Sequence, residues 1–275
     1  DFIVVSTVGG VLASVLVGAV TVALVAGSVR FGWDLDNVTS PLVTALGDLI
    51  TVPALVLAAG LIGMTTLVNT LAVVLVFVTV LGLLAVAKFG QEELKLMVSQ
   101  SASILLLAAF IDLLAGVTVE KRLDELLSVK AVLIMLPAFL ATAGALGGIL
   151  SSRLSTQFHL GLDDASPIPS RASLRDIRSV VALAAPIFVA VAVAAHVLAS
   201  LASQTSPGLG QLVLVALLGG GLATVLVVLV AYYTTMSAFR FGLDPDTFGI
   251  PMVTSTLDLV GASALILAIG VVGVV

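Results

Sequence analysis

Eight runs of predominantly apolar residues divide this chain, at roughly 3–29, 38–62, 66–87, 99–118, 131–152, 178–202, 210–239 and 249–274. A hydrocarbon core of about 30 Å is crossed by about 20 helical residues at 1.5 Å each, and each run reaches that length. Lipid offers the backbone no hydrogen bonds, so a spanning segment must satisfy its N–H and C=O groups internally, and a helix does so. The expected fold is therefore an all-α integral membrane protein, a helical bundle of about eight transmembrane helices. Composition agrees: 60% of residues are hydrophobic and 10% charged, far from a soluble domain. The first run follows Asp1 at once, is too long for a signal-peptide core and lacks a basic leader. It reads as a spanning helix, and the chain as a fragment.

Direction across the bilayer follows from lysine and arginine, which accumulate in cytoplasmic loops. With the N-terminus outside, Arg30, Lys88, Lys95, Arg153, Arg171, Arg175, Arg178 and Arg240 fall in inside connections, against Lys121, Arg122 and Lys130 outside. The stretches 30–37, 88–98, 153–177 and 240–248 are then cytoplasmic, in a multi-pass protein of the plasma membrane.

One stretch occurs twice. Residues 30–62 align without a gap to 240–272 at an offset of 210, with Arg30/Arg240, Gly32/Gly242, Asp34/Asp244, Asp36/Asp246, Pro41/Pro251, Thr44/Thr254 and Asp48/Asp258 in register. The match extends upstream, where Gly9 and Gly10 fall on Gly219 and Gly220, so the unit includes the preceding helix. Three further runs precede the second copy. The division expected is the last two helices of a first repeat over 1–62, a linker helix with its cytoplasmic connection over 63–96, and a complete five-helix repeat over 97–275. Three more helices before Asp1 would complete the first. A five-helix unit ends on the side opposite its start, so one extra span lets two such units run parallel, as a pseudo-twofold repeat about an axis along the membrane normal.

The chemistry concentrates in the two copies. Pro41, Thr44 and Asp48 are spaced i, i+3, i+7, as are Pro251, Thr254 and Asp258, which puts each set on one helix stripe. Each proline suits the first turn of a helix, where its missing N–H costs nothing. A carboxylate about ten residues into the span lies ~15 Å deep, near the middle of the bilayer. Acids there are costly and mark functional sites by default; the alternative is a protonated aspartate that only locks helices together. Two such helices facing across the axis would offer two negative charges to one dication. Mg2+ keeps several waters and binds through one or two carboxylates, and Thr44 and Thr254 would hydrogen-bond those waters.

Asp34, Asp36, Asp244 and Asp246 stand at the cytoplasmic mouth. They either concentrate cations or, for Asp36 and Asp246, cap helices. Asp112, inside the run 99–118, is either a pathway residue or a buried hydrogen-bonded one. His196 reads as a satisfied histidine and His159 as an interfacial residue. Ser151, Ser152, Arg153, Ser155 and Thr156 form a polar end after the small-residue helix that begins at Gly144, and 162–175 reads as a flexible cytoplasmic connection. With no cysteine and two histidines, side-chain metal ligands would be oxygens, which suits Mg2+, Mn2+ or Ca2+. A net charge of -5 gives no basic stripe for nucleic acid.

The helix openings DLDNVTSPLVTALGD and DPDTFGIPMVTSTLD, with SSRLST after the small-residue helix, resemble the membrane domain of MgtE magnesium channels and the related solute carrier family 41. The resemblance covers nearly the whole chain apart from the linker helix. It implies that the deep aspartate ending each five-helix unit lines the ion path at the twofold axis and holds hydrated Mg2+, which picks Asp48 and Asp258. It also implies a fused pseudo-dimer that needs no second copy, in place of a homodimer. The function expected is divalent cation transport, Mg2+ first and Mn2+, Co2+ or Ca2+ as alternatives, with no enzymatic activity. A Na+- or H+-coupled exchanger of the same fold shares these features. An intramembrane aspartyl protease also needs two embedded aspartates, but its Gly-x-Gly-Asp context is missing: Asp48 follows Ala45-Leu46-Gly47, and Asp258 follows Ser255-Thr256-Leu257.

Overall fold

The computed structural model describes residues 2–33, 35–60, 65–243 and 245–274, at some positions by their backbone alone. Among the described residues all regular structure is helical: α1 Phe2–Phe31, α2 Leu35–Ala59, α3 Thr65–Phe89, α4 Glu92–Glu120, α5 Leu123–Ser128, α6 Lys130–His159, α7 Arg171–Leu201, α8 Leu209–Arg240 and α9 Pro245–Val272. Each expected run lies largely within one of the eight long helices. Seven of these are long and apolar enough to cross a membrane, and α2 contributes the shorter apolar stretch Leu49–Ala59 among its described residues. The short α5 has no counterpart in the sequence reading.

The chain forms two compact units, residues 1–100 and 101–275. In the first, α1 packs along α2 and touches α3. In the second, α6 packs against α7, α8 and α9. Apolar surface gains little by leaving lipid, so packing of this kind rests on close van der Waals fit, and small residues permit it. The Phe139 and Phe188 rings pack at a tilt, 4.8 Å apart, between α6 and α7, and Phe188 presses on Gly220 of α8, where an added Cβ would lie 2.4 Å from the ring. Gly219 admits α9, whose Leu265 backbone lies 3.3 Å from that added position.

Both α1 and α8 end in the same way. Gly32 and Gly242 each take φ +69°, and the next residue's N–H reaches back to a carbonyl five positions earlier, Trp33 to Ser28 and Leu243 to Ala238, each at 2.9 Å. This is the glycine-terminated cap in which a left-handed residue turns the chain and satisfies orphan carbonyls.

Two expectations are corrected. Neither proline of the repeat opens its helix: α2 begins at Leu35 and α9 at Pro245, so Pro41 and Pro251 are both interior, and Pro251 leaves a carbonyl one turn back without its usual donor. The polar residues ahead of it continue the helix instead of preceding it. The stretch 162–175 is not a loose connection either. Residues 171–175 belong to α7, whose start is capped by Ser170 Oγ accepting from the N–H groups of Ala172 and Ser173. The remaining loop is tied to α8, since Tyr232 donates to the Ser166 carbonyl at 2.7 Å and Tyr233 to that of Pro167 at 3.4 Å.

Candidate functional site

Asp258 occupies the middle of the 28-residue α9, on the face where α6 arrives. Thr254, one turn before it, lies beside Gly144 of α6, at 3.9 Å from where a Cβ would be. Gly261, one turn after it, meets Leu140 and Ala143 of α6 in the same sense, at 3.1 and 4.0 Å. Between these contacts Gly147 is jammed against Val253 and Leu257, with an added Cβ 2.7 and 2.5 Å from their side chains. Gly144 and Gly147 therefore bring α6 onto α9 along the stripe that carries Thr254 and Asp258. The Asp258 side chain is half-buried at this seam.

The Thr254 hydroxyl shares its proton between the carbonyls of Ile250 and Pro251, both at 3.1 Å. Its oxygen keeps acceptor capacity. Water bound to a cation donates hydrogen bonds, so an acceptor one turn from a carboxylate is the polarity a hydrated dication needs.

Further along the seam, Ser151 of α6 and Thr235 of α8 share a buried hydrogen bond of 2.6 Å. Gly249 of α9 passes close by, an added Cβ coming 3.3 Å from the Ser151 hydroxyl and 3.7 Å from that of Thr235. Three helices thus converge on two hydroxyls near one end of the bundle. Ser152, the next residue, is half-buried.

Two residues beyond Ser151 on α6 lies a charged centre that sequence reasoning missed. Asp176 of α7 is 1% exposed, and Arg153 of α6 holds it with two guanidinium nitrogens, each 3.0 Å from Oδ1. Gln157 donates its amide to the other carboxylate oxygen, and its own carbonyl oxygen is buried with no partner among the described residues. Fork-like contact to one carboxylate is what a planar guanidinium provides and an ammonium does not. The signal available in sequence was an arginine closing α6 and an acid opening α7, at the same end of consecutive antiparallel helices.

The connecting loop holds a second acid. Asp163 accepts from the hydroxyls of Ser170, at 2.6 Å, and Ser173. Its partial burial works to raise its pKa, but those two hydroxyls and the N–H groups of Asp164 and Ser173 outweigh it, leaving the carboxyl below its ordinary 3.8.

Of the other candidates, Asp112 stands exposed on α4. His196 hydrogen-bonds Ser206 at 3.0 Å, in keeping with a satisfied histidine. His159 lies at the exposed end of α6, edge-on to Phe239. Asp34 and Asp244 lie outside the described residues; Asp36, Pro41, Thr44, Asp48 and Asp246 belong to α2 or α9, but their side chains lie outside them too. No group of three or more His, Asp or Glu that could hold a metal ion occurs among the described residues.

Residues 136–268, from α6 through most of α9, match the MgtE family, described as a divalent cation transporter. Solute carrier family 41 member 3 of Mus musculus is 24% identical over 277 residues, covering 95% of this chain and 56% of its own length. Its Rattus norvegicus counterpart is 24% identical, with 95% and 60% covered, and solute carrier family 41 member 2 of Xenopus laevis is 23% identical over 279 residues, with 96% and 49% covered. The chain thus spans about half the length of the curated relatives it matches. No solved structure matches it.

Proposed function

We propose that this chain, which matches the MgtE divalent cation transporter family over residues 136–268, moves Mg2+ across a membrane along a path bordered by α9, with Asp258 as the carboxylate that meets the hydrated ion. The observation that carries this reading is the position of Asp258: mid-helix, half-buried, on the α6-facing stripe of α9 and within the family match. An acidic side chain at that depth is costly and marks a functional site by default, and its chemistry suits a hydrated dication. Mg2+ sheds water reluctantly and binds through one or two carboxylates while keeping several waters. The acceptor oxygen of Thr254 is suited to those waters.

The second carboxylate is that of Asp48, at the corresponding place in the repeated stretch, so that two copies of the motif in one chain form the path about an axis along the membrane normal. Asp34, Asp36, Asp244 and Asp246 attract cations to its cytoplasmic mouth. The distribution of arginine and lysine supports that sidedness.

The test is Mg2+ uptake by proteoliposomes or Mg2+-limited growth of cells, for Asp48→Asn, Asp258→Asn and the double variant in the protein carrying this chain. Each single variant is expected to lower transport about tenfold or more, equivalent to about 1.4 kcal/mol or more of lost stabilisation in the path, and the double variant to abolish it. Unchanged transport by the double variant would overturn the assignment. Repeating the uptake with Mn2+, Co2+ and Ca2+ ranks the substrate ions, and imposing a Na+ or H+ gradient separates passive from coupled movement.

A further inference from the structure

A groove of about 410 Å3 runs between α7 and α8, lined by Ile177, Val181, Ala185 and Phe188 on one side and by Gly221 and Leu229 on the other. Its one hydroxyl, that of Thr224, is turned back onto the Gly220 carbonyl at 2.6 Å, so the wall facing the groove is apolar. From Ile177 to Phe188 it extends about 16 Å along α7 at the helical rise. Gly221 keeps it open, for an added Cβ there would meet nothing within 4 Å.

At the polar end of the same helix stand Arg171, Arg175 and Arg178, spaced i, i+4, i+7 and all exposed. Continued at the same spacing, their stripe passes through Ala182 and Ala185, and Ala185 lies on the groove wall, while Arg178 adjoins Ile177 at the groove's end. None of the three guanidiniums has an ion-pair partner among the described residues, in contrast to Arg153, which is engaged by Asp176. Asp176 is turned toward α6 and neutralised there, so it does not offset the stripe. An apolar slot at bilayer depth continuing into three unpaired guanidiniums at the membrane surface has the chemistry of one ligand: apolar along its length and anionic at its head.

We propose that the α7–α8 groove binds an anionic phospholipid, one acyl chain lying along Val181, Ala185 and Gly221 and the phosphate held by Arg171, Arg175 and Arg178. Juxtamembrane arginines attract anionic headgroups, and basic pockets beside spanning helices select them. Guanidinium suits phosphate because its planar donors bind two oxygens at once.

The test uses the purified protein and its variants, delipidated in detergent, with phosphatidylglycerol or phosphatidylcholine of identical acyl chains added. Bound lipid is counted by native mass spectrometry, and thermal stability is followed in parallel. The unsubstituted protein is expected to retain phosphatidylglycerol over phosphatidylcholine by about tenfold or more, as three basic contacts at a surface imply. The triple variant Arg171→Gln, Arg175→Gln, Arg178→Gln removes exposed, unpaired charges, and is expected to keep its melting temperature without lipid and to lose that preference. Gly221→Leu fills open space and is expected to reduce retention of both lipids.

Equal retention of the two lipids by the unsubstituted protein would overturn the proposal, as would a preference that survives in the triple variant. Unchanged retention in Gly221→Leu, or a dimer that this substitution dissolves, would show that the groove holds something other than an acyl chain and overturn it as well. None of these readouts measures transport, so their failure and the failure of the transport reading are distinguishable.

Discussion

Gly9 of α1 lies against Leu55 of α2, an added Cβ coming 3.1 Å from the Leu55 backbone, and Gly219 of α8, 210 positions on, lies in the same way against Leu265 of α9 at 3.3 Å. The two helix pairs close on equivalent contacts and finish α1 and α8 with equivalent glycine caps. They differ in what covers them. Gly10 has nothing within 4 Å of an added Cβ, whereas its counterpart Gly220 is pressed by the Phe188 ring. Gly10, Ala13, Val17 and Gly47 border an open groove of about 720 Å3, while the corresponding Gly220, Ala223, Val227 and Leu257 lie beneath α6 and α7, the last three fully buried. The closure of the pair is thus written in its own small residues and turn, and the seam with α6 is a separate device. The candidate site is at that seam, since Thr254 and Asp258 lie where α6 meets α9.

The largest expected effect tests the difference directly. Gly220→Leu drives a branched side chain into the Phe188 ring and is expected to cost about 3 kcal/mol, the upper end for overpacking, seen as a drop in melting temperature or loss of folded protein in detergent. Gly10→Leu, at the equivalent position, is expected to change stability by less than about 0.5 kcal/mol, as at exposed sites generally. Comparable damage from both would mean that the α1–α2 face is covered as fully as the α8–α9 face, and the contrast between the pairs would fall.

Next in size is the ion pair that joins α6 to α7, the two helices that cover the second pair. Arg153→Ala leaves Asp176 buried without a cation and is expected to cost about 3 kcal/mol at neutral pH, as loss of one partner of a buried pair does. Asp176→Ala leaves Arg153, whose side chain is 33% exposed and can turn toward water, so about half that loss is expected. The asymmetry is the informative quantity. Equal losses in thermal unfolding would mean that the arginine is as confined as the acid.

How much of this was legible in the sequence follows from what lipid does to a helix. Bilayer thickness sets the length of an apolar run, so the eight long helices could be located from hydropathy alone. The ends were misjudged where helices continue into water: Arg171 to Arg178 are polar yet helical because Ser170 caps them, and α9 starts six residues before Pro251. Asp258 was legible because one acid in an apolar span is conspicuous and its register with Asp48 repeats. Arg153 and Asp176 were not, because each is ordinary at a polar helix end and only the folding of α6 against α7 brings them together. The bond from Tyr232 to Ser166 spans 66 positions, and no periodicity announces it.

A smaller effect sharpens the likeness between the pairs. Gly32→Ala and Gly242→Ala each force a side chain onto a backbone at φ +69°, where non-glycine residues pay roughly 1 kcal/mol. The two losses are expected to agree within about 0.5 kcal/mol in thermal or denaturant unfolding, because distant sites with the same mechanism act independently. Unequal losses would mean that the two caps, alike in backbone, are held by different surroundings.

The smallest expected effect belongs to Asp163, in the α6–α7 connection that Tyr232 ties to α8. Its folded carboxyl is held below 3.8, the ordinary value, so the unfolded chain takes up the proton first as pH falls. The hydrogen bonds from Ser170 and Ser173 therefore contribute fully above about pH 4 and are lost as pH falls through the depressed folded value. Because the loop is largely solvated, the contribution is expected to be well under 1 kcal/mol. Asp163→Asn should accordingly lower the melting temperature slightly at neutral pH, and the difference from the unsubstituted protein should shrink as pH drops below about 3.8. A difference that stays constant down to that range would place the stabilisation in the packing of Tyr232 on the loop rather than in the ionised carboxylate.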